Sequence, residues 1–167
     1  MVAASPEARE FMQDMLVRLY DLAGCEEESS RLRADGIECR RAESFERHRV
    51  LAFVRDRWPG WADELLAAFA HVPPTVRIAI AGQEIIGFAC YNATRPDYFG
   101  PTGVEESQRK RGVGRVLLVQ CLQALAAEGY AYAIIGGVGP AEFYTRTVGA
   151  ELIAGSSPGI FRVMADA

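Results

Sequence analysis

The segment with the clearest chemical character is Gln108-Arg109-Lys110-Arg111-Gly112-Val113-Gly114-Arg115-Val116-Leu117-Leu118. Four cations, Arg109, Lys110, Arg111 and Arg115, fall within seven residues around two glycines. The apolar spacing of Val113, Val116, Leu117, Leu122 and Leu125 predicts a helix over 112–128, stopped by Gly129. The first N–H groups of a helix lack intrahelical acceptors and carry the positive end of the dipole. Gly112 and Gly114 place no side chain in the way of an anion approaching that backbone. The chemistry on offer is phosphate binding by main-chain N–H groups, assisted by local positive charge. The chain as a whole has a formal net charge of −4, so this basic cluster is a local device and a nucleic-acid partner is not expected.

Two other phosphate loops are poor matches. A Walker loop requires GxxxxGK[ST], which is absent. A dinucleotide fingerprint requires a third glycine, and Leu117 stands at that position. Gly136-Gly137-Val138-Gly139 also follows an apolar run, but Glu142 occupies the third-glycine place, and too little chain follows for a full dinucleotide-binding unit. Metal chemistry has no support: His48 and His71 are the only histidines, and no HExxH pattern exists. Cys25, Cys39, Cys90 and Cys121 show no CxxC spacing and read as reduced thiols. No basic-then-apolar leader and no apolar stretch of ~18 residues is present, so a cytoplasmic, membrane-free protein is expected.

The elements that must position the loop can be read around it. Ser5-Pro6-Glu7 has the form of a helix start, and Phe11, Met12, Met15, Leu16, Leu19 and Tyr20 follow at helical spacing, which predicts a helix over 5–23. Glu26-Glu27-Glu28-Ser29-Ser30 reads as a solvated connection. A short strand is expected at 36–42, a helix after Ser44 ending at Pro59-Gly60, and a second helix over 62–70. Val76, Ile78 and Ile80 alternate with Thr75, Arg77 and Ala79, and with the run 85–91 they predict a β-hairpin. Residues 98–104 form a weaker strand broken by Gly100-Pro101, and 131–136 an interior one, apolar on both faces. Pro140 opens a helix through 147, and residues 151–154 and 160–164 flank Ser156-Ser157-Pro158-Gly159 as a C-terminal hairpin.

In this setting the chain resembles the GNAT superfamily of acyl-CoA N-acyltransferases. Arg109-x-x-Gly112-x-Gly114 matches that family's R/Q-x-x-G-x-G/A loop between its fourth strand and third helix. Val104 matches the common valine of that strand, and Phe143-Tyr144 with Val148-Gly149-Ala150 resembles the late-helix signature. The likeness covers residue 36 to the C-terminus in element order. It implies an α/β fold of the α+β type: a mixed, mostly antiparallel sheet of about seven strands flanked by helices. Residues 1–35 would be a helical extension and 36–167 the acyltransferase domain.

The resemblance further implies acetyl-CoA as co-substrate and direct acetyl transfer to a primary amine. The pyrophosphate would be held by Arg109, Lys110, Arg111, Gly112, Val113, Gly114 and Arg115, and the pantetheine arm by the backbone of Gly103 and Val104. A backbone N–H there could also stabilise the thioester oxyanion. Tyr144 is the candidate general acid, because a phenol with pKa about 10 stays protonated at neutral pH. A lysine-type amine is almost wholly protonated near neutrality, so a base is needed. Glu105 and Glu106 follow the fourth strand, Asp97 and Tyr98 begin it and Glu84 sits in the hairpin link, and of these Glu105 is the candidate chosen. The acceptor would be a small molecule or a protein amine, and the protein a monomer or homodimer. Trp58 and Trp61 read foremost as helix-end packing, with an acceptor pocket as the second reading. The rival from another class is a CoA-binding sensor or interaction domain without turnover.

Overall fold

The computed structural model describes residues 13–162. Seven strands, β1 (Met15–Arg18), β2 (Ile37–Arg41), β3 (Val76–Ala81), β4 (Glu84–Tyr91), β5 (Tyr98–Val104), β6 (Tyr132–Ile135) and β7 (Glu151–Leu152), form one sheet in the order β2-β3-β4-β5-β6-β1-β7. Among the described residues five α-helices accompany them: α1 (Glu26–Ala34), α2 (Arg47–Arg57), α3 (Ala62–Phe69), α4 (Val113–Ala127) and α5 (Ala141–Val148). Every pairing is antiparallel except β5 with β6. The mixed, mostly antiparallel sheet flanked by helices is therefore present as the sequence predicts.

Strand alternation divides the core in two. Ala79 and Ala89 face a cluster built with Val116, Leu117, Leu122 and Leu125 of α4, Leu32 of α1 and Tyr144 of α5. Ile78 and Phe88, one residue away, face a second cluster with Val50, Phe53 and Val54 of α2 and Leu65 and Phe69 of α3. Helices thus cover both faces of the β3–β4 hairpin. α4 buries eight of its side chains, which fixes its N-terminus firmly against the end of β5.

The N-terminal helix expected over 5–23 is corrected. Residues 5–12 lie outside the described residues, and within 13–23 the chain forms strand β1 and a 3-10 turn, Leu19–Asp21. Met15 and Val17 are buried while Leu16 and Arg18 are half-buried, which is period two. Met15 and Leu19 fit both periods, and tertiary pairing decides: β1 lies between β6 and β7, with Met15 opposite Ile135 and Leu152. The acidic stretch read as a connection is the first turn of α1, where Glu26, Glu27 and Glu28 complement the helix dipole. The C-terminal hairpin is also corrected. β7 takes β1 as its neighbour, and Gly159–Phe161 is a 3-10 turn.

Candidate active site

β5 and β6 run side by side for only two residue pairs, Tyr98 with Ile134 and Phe99 with Ile135. Beyond Phe99, β5 continues to Val104 bound only to β4, with Gly103 opposite Phe88 and Val104 opposite Gly87. The two parallel strands therefore part at Phe99 and leave residues 100–104 with one open edge. The Glu105 N–H donates to Ile86 O at 2.8 Å, on the β4 side. Alternation of ladder directions then turns the Val104 N–H toward the open edge. An extended chain could pair there by main-chain hydrogen bonds.

The N-terminus of α4 stands at the end of this edge. A Cβ placed on Gly114 would lie 3.7 Å from Val104 Cγ2 and 3.9 Å from Phe143 Cζ. The first intrahelical bond runs from Val116 N–H to Gly112 O at 3.1 Å, so the N–H groups of Val113, Gly114 and Arg115 precede the ladder. The backbone is left-handed at Lys110 (φ 65°) and at Gly112 (φ 93°). Left-handed residues at alternate positions gather successive N–H groups into the concave form that binds anions. Gly112 is required there by its own dihedral, whereas Gly114 is required only by what must approach it. The Val113 side chain is buried, so only its backbone is available to a ligand.

The four cations are not equivalent. Arg115 donates to Glu28 Oε1 at 2.8 Å and to Thr147 O at 3.0 Å, bracing α4 against α1 and the end of α5. The Glu28 carboxyl is held below the usual range by its own backbone N–H and then by Arg115. Arg111 donates to Gln108 at 2.7 Å and lies 3.9 Å from Asp35. Among the described residues the side chains of Arg109 and Lys110 make no hydrogen bond or ion pair. A fifth cation joins them: the Arg31 guanidinium of α1 would stand 3.6 Å from a Cβ on Gly112. Sequence reading missed Arg31 because its helix has a single buried residue, Leu32, and no apolar stripe to announce it.

Tyr144 is 7% exposed, and its ring centroid lies 6.3 Å from that of Phe99 and 5.1 Å from that of Phe143. It therefore sits where the strands part. Burial pushes its phenol up to about 12, so it remains protonated at any physiological pH. Glu105 is ion-paired: its Oε2 accepts from Arg57 Nε at 2.7 Å and from Nη2 at 2.7 Å, tying the end of β5 to the end of α2. Arg57 in turn lies over the Phe53 ring at 4.3 Å. Gly103 faces the other side of the sheet, where its surface is covered by Trp58, itself stacked on Trp61 at 5.6 Å. Asp14, 6% exposed, is a carboxylate the sequence reading passed over. Its Oδ1 accepts from the Gly137 N–H at 2.9 Å, just past the end of β6, while its own N–H donates to Ser156 Oγ.

An open β5 edge, a glycine-bearing helix start at its end and a buried tyrosine at the parting of the strands are the features that this α/β sheet brings together. Residues 32–149 match the model of the acetyltransferase (GNAT) family, and the chain belongs to that family. The fold is shared with solved structures of low identity. A GCN5-related glucosamine N-acetyltransferase region of a fungal multi-domain GH3 β-N-acetylglucosaminidase has TM-score 0.70 at 15% identity, over 84% of this chain and 19% of that one. GCN5-related N-acetyltransferases from Sphaerobacter thermophilus (TM-score 0.62, 15% identity) and Kribbella flavida (0.54, 17%) each match over 84% of this chain, and over 48% and 53% of their own. The chain thus spans about half or less of the length of these structures. A search of the curated proteins gives no match. Among the described residues no group of His, Cys, Asp or Glu could hold a metal, and no helix is long and apolar enough to cross a membrane.

Proposed function

We propose that this protein is an N-acetyltransferase that moves the acetyl group of acetyl-CoA directly onto a primary amine. The observation that carries the reading is the parting of β5 from β6 after Phe99, with the α4 N-terminus at the far end of the open edge. The pyrophosphate would lie on the N–H groups of Val113, Gly114 and Arg115, with Arg31, Arg109 and Lys110 as its cations. The pantetheine arm would pair with the β5 edge, and the Val104 N–H would polarise the thioester carbonyl.

Tyr144 serves as the acid of this reading. With its phenol pushed up to about 12, complete transfer to a thiolate with pKa near 8.5 is uphill. Its contribution is a hydrogen bond to the sulfur as charge develops, and bulk water completes the protonation. The base must take a proton from the amine. Glu105 remains the candidate proposed from its position, although its Oε2 is already engaged by Arg57. The acceptor is a small-molecule or protein amine, and the protein a cytoplasmic monomer or homodimer with no nucleic-acid or membrane partner.

The Arg57–Glu105 pair is also the observation that favours the second reading, a CoA-binding sensor domain without turnover. A thermal-shift panel of CoA, acetyl-CoA and NAD, followed by an amine screen read by thiol release, separates the two. Stabilisation by CoA with thiol release on some amine supports the transferase. Binding without turnover on any amine leaves the sensor, and a response to NAD alone removes both.

A further inference from the structure

A second cleft lies away from the parted strands, between the sheet and the C-terminal half of α4. It encloses about 440 Å³ and is lined by Arg41, Arg77, Tyr91, Gln120, Ala124 and Glu128, among others. That volume is within the range of small-molecule sites, roughly 300–1,000 Å³. Arg41 and Arg77 are direct neighbours across β2 and β3, and Arg77 faces Ala89 of β4. Two residues with guanidinium side chains are therefore cross-strand neighbours in the lining of the cleft.

Neither guanidinium is neutralised within the described residues. Arg77 makes no side-chain hydrogen bond or ion pair, and its Nε is fully covered without a partner. Arg41 makes one long contact, from Nη2 to the Tyr91 hydroxyl at 3.5 Å. Gln120 donates to Cys39 O at 3.2 Å, but its Oε1 is covered and unpartnered. Unsatisfied buried polar atoms are rare because each forfeits its hydration. Here they belong to two residues that line the same cleft. The Tyr91 phenol is pushed up by burial, so it stays a neutral donor. The one acid of the lining, Glu128, is occupied by the Asn92 amide at 2.8 Å.

We infer that this cleft is a binding site for a small oxyanion, a carboxylate or phosphate group seated on Arg41, Arg77 and the Tyr91 hydroxyl. Paired guanidinium forks match the two oxygens of such groups. Glu128 and the C-terminal end of α4 also line the cleft, so the part of the ligand that meets them should be neutral or hydrogen-bond donating. The site shares no residue with the glycine loop and stands independently of acetyl transfer.

The test is an NMR titration of the labelled protein with malonate and, separately, with inorganic phosphate. Amide shifts at Arg41, Arg77, Tyr91 and Gln120 that saturate are expected, and the more tightly bound anion identifies the chemistry. Arg77→Met and Arg41→Met, each made alone, should weaken that binding by about tenfold or more, as expected for loss of a charge-assisted hydrogen bond. Shifts confined to Val113, Gly114 and Arg115, or no saturating shift with either anion, would overturn the assignment. Unchanged affinity in Arg41→Met, the variant less entangled with the core, would do the same.

Discussion

The indole of Trp58 lies against Gly103 so closely that a Cβ on that glycine would come within 2.7 Å of Cη2. Position 103 therefore holds a glycine for the sake of an aromatic ring on the face opposite α4. Gly103→Ala should destabilise the fold by about 1–3 kcal/mol through overpacking and alter the fluorescence of the stacked Trp58–Trp61 pair. Adding Trp58→Leu should recover part of that loss, a non-additivity read in urea titrations of the single and double variants. Equal and additive losses would mean that the contact is slack.

The two loop glycines should fail differently. Gly112 has φ 93°, so Gly112→Ala strains the backbone and should lower stability by about 1 kcal/mol as well as weaken CoA binding. Gly114 has ordinary contacts around its would-be Cβ, so Gly114→Val should abolish CoA binding in calorimetry and leave the domain folded. Retained affinity in Gly114→Val would remove the loop from the pyrophosphate site.

Charge removal should sort the cations in the same way. Arg115→Met breaks the contacts to Glu28 and Thr147 and should lower the melting temperature. Arg31→Met and Lys110→Met should leave the melting temperature nearly unchanged, weaken CoA binding and reduce its salt dependence. A melting-temperature loss in Lys110→Met equal to that in Arg115→Met would contradict the division.

Tyr144→Phe keeps the ring that packs on Phe99 and Phe143 and removes the hydroxyl. The turnover number should fall about 10²-fold with little change in CoA affinity. The wild-type phenol is raised to about 12 in the folded state against about 10 when unfolded. The stability this contributes is complete below pH of about 10 and is lost as pH rises toward about 12. The fold reduction in Tyr144→Phe should therefore be the same at every pH below about 10. A reduction that disappears near neutrality would remove the hydrogen bond from the Tyr144 phenol to the sulfur from the mechanism.

Arg40 grips Glu46 through two bonds of 2.8 and 2.7 Å, and the Glu43 N–H donates to the same carboxylate. These bonds, Arg40 foremost, hold the Glu46 carboxyl below its ordinary range against the opposing effect of burial. Its stabilisation is present above the unfolded value near about pH 4.3 and is lost as pH falls through the lower folded value. Glu46→Gln should cost on the order of 1–3 kcal/mol at neutral pH and show a shallower loss of stability in acid, measured by urea titration across pH.

The strands and helices that carry strong periodicity were legible. The alternation of 76–80 and the apolar ladder of α4 are local signals, and the glycine loop announces its own backbone. The errors lie where the signal is not local. β1 spans Met15–Arg18, too short for alternation to outweigh a helical reading, and only its pairing with β6 and β7 decides. α1 buries one residue and so shows no stripe, which hid Arg31 from view. Glu105 remains the candidate base by its place after β5, but its ion pair was not legible. Nothing in the sequence reports that Arg57, 48 positions earlier, occupies its Oε2.

The place of β1 in the sheet also sets a schedule for the nascent chain. Met15 and Ile135 are partners separated by 120 residues. At synthesis rates of about 5–20 residues per second, β1 waits on the order of ten seconds for β6 to exist. The β2–β3–β4–β5 meander can assemble during that interval from neighbours in sequence. β6 then emerges with one side on β5 and the other bare until the earliest strand returns to cover it. An unpaired strand edge of that kind is open to foreign strands. Closure of this half of the sheet is thus a race between a long-range return and misassociation, and the yield of folded protein should rise when translation slows near residue 135 or when a chaperone shields the waiting edge.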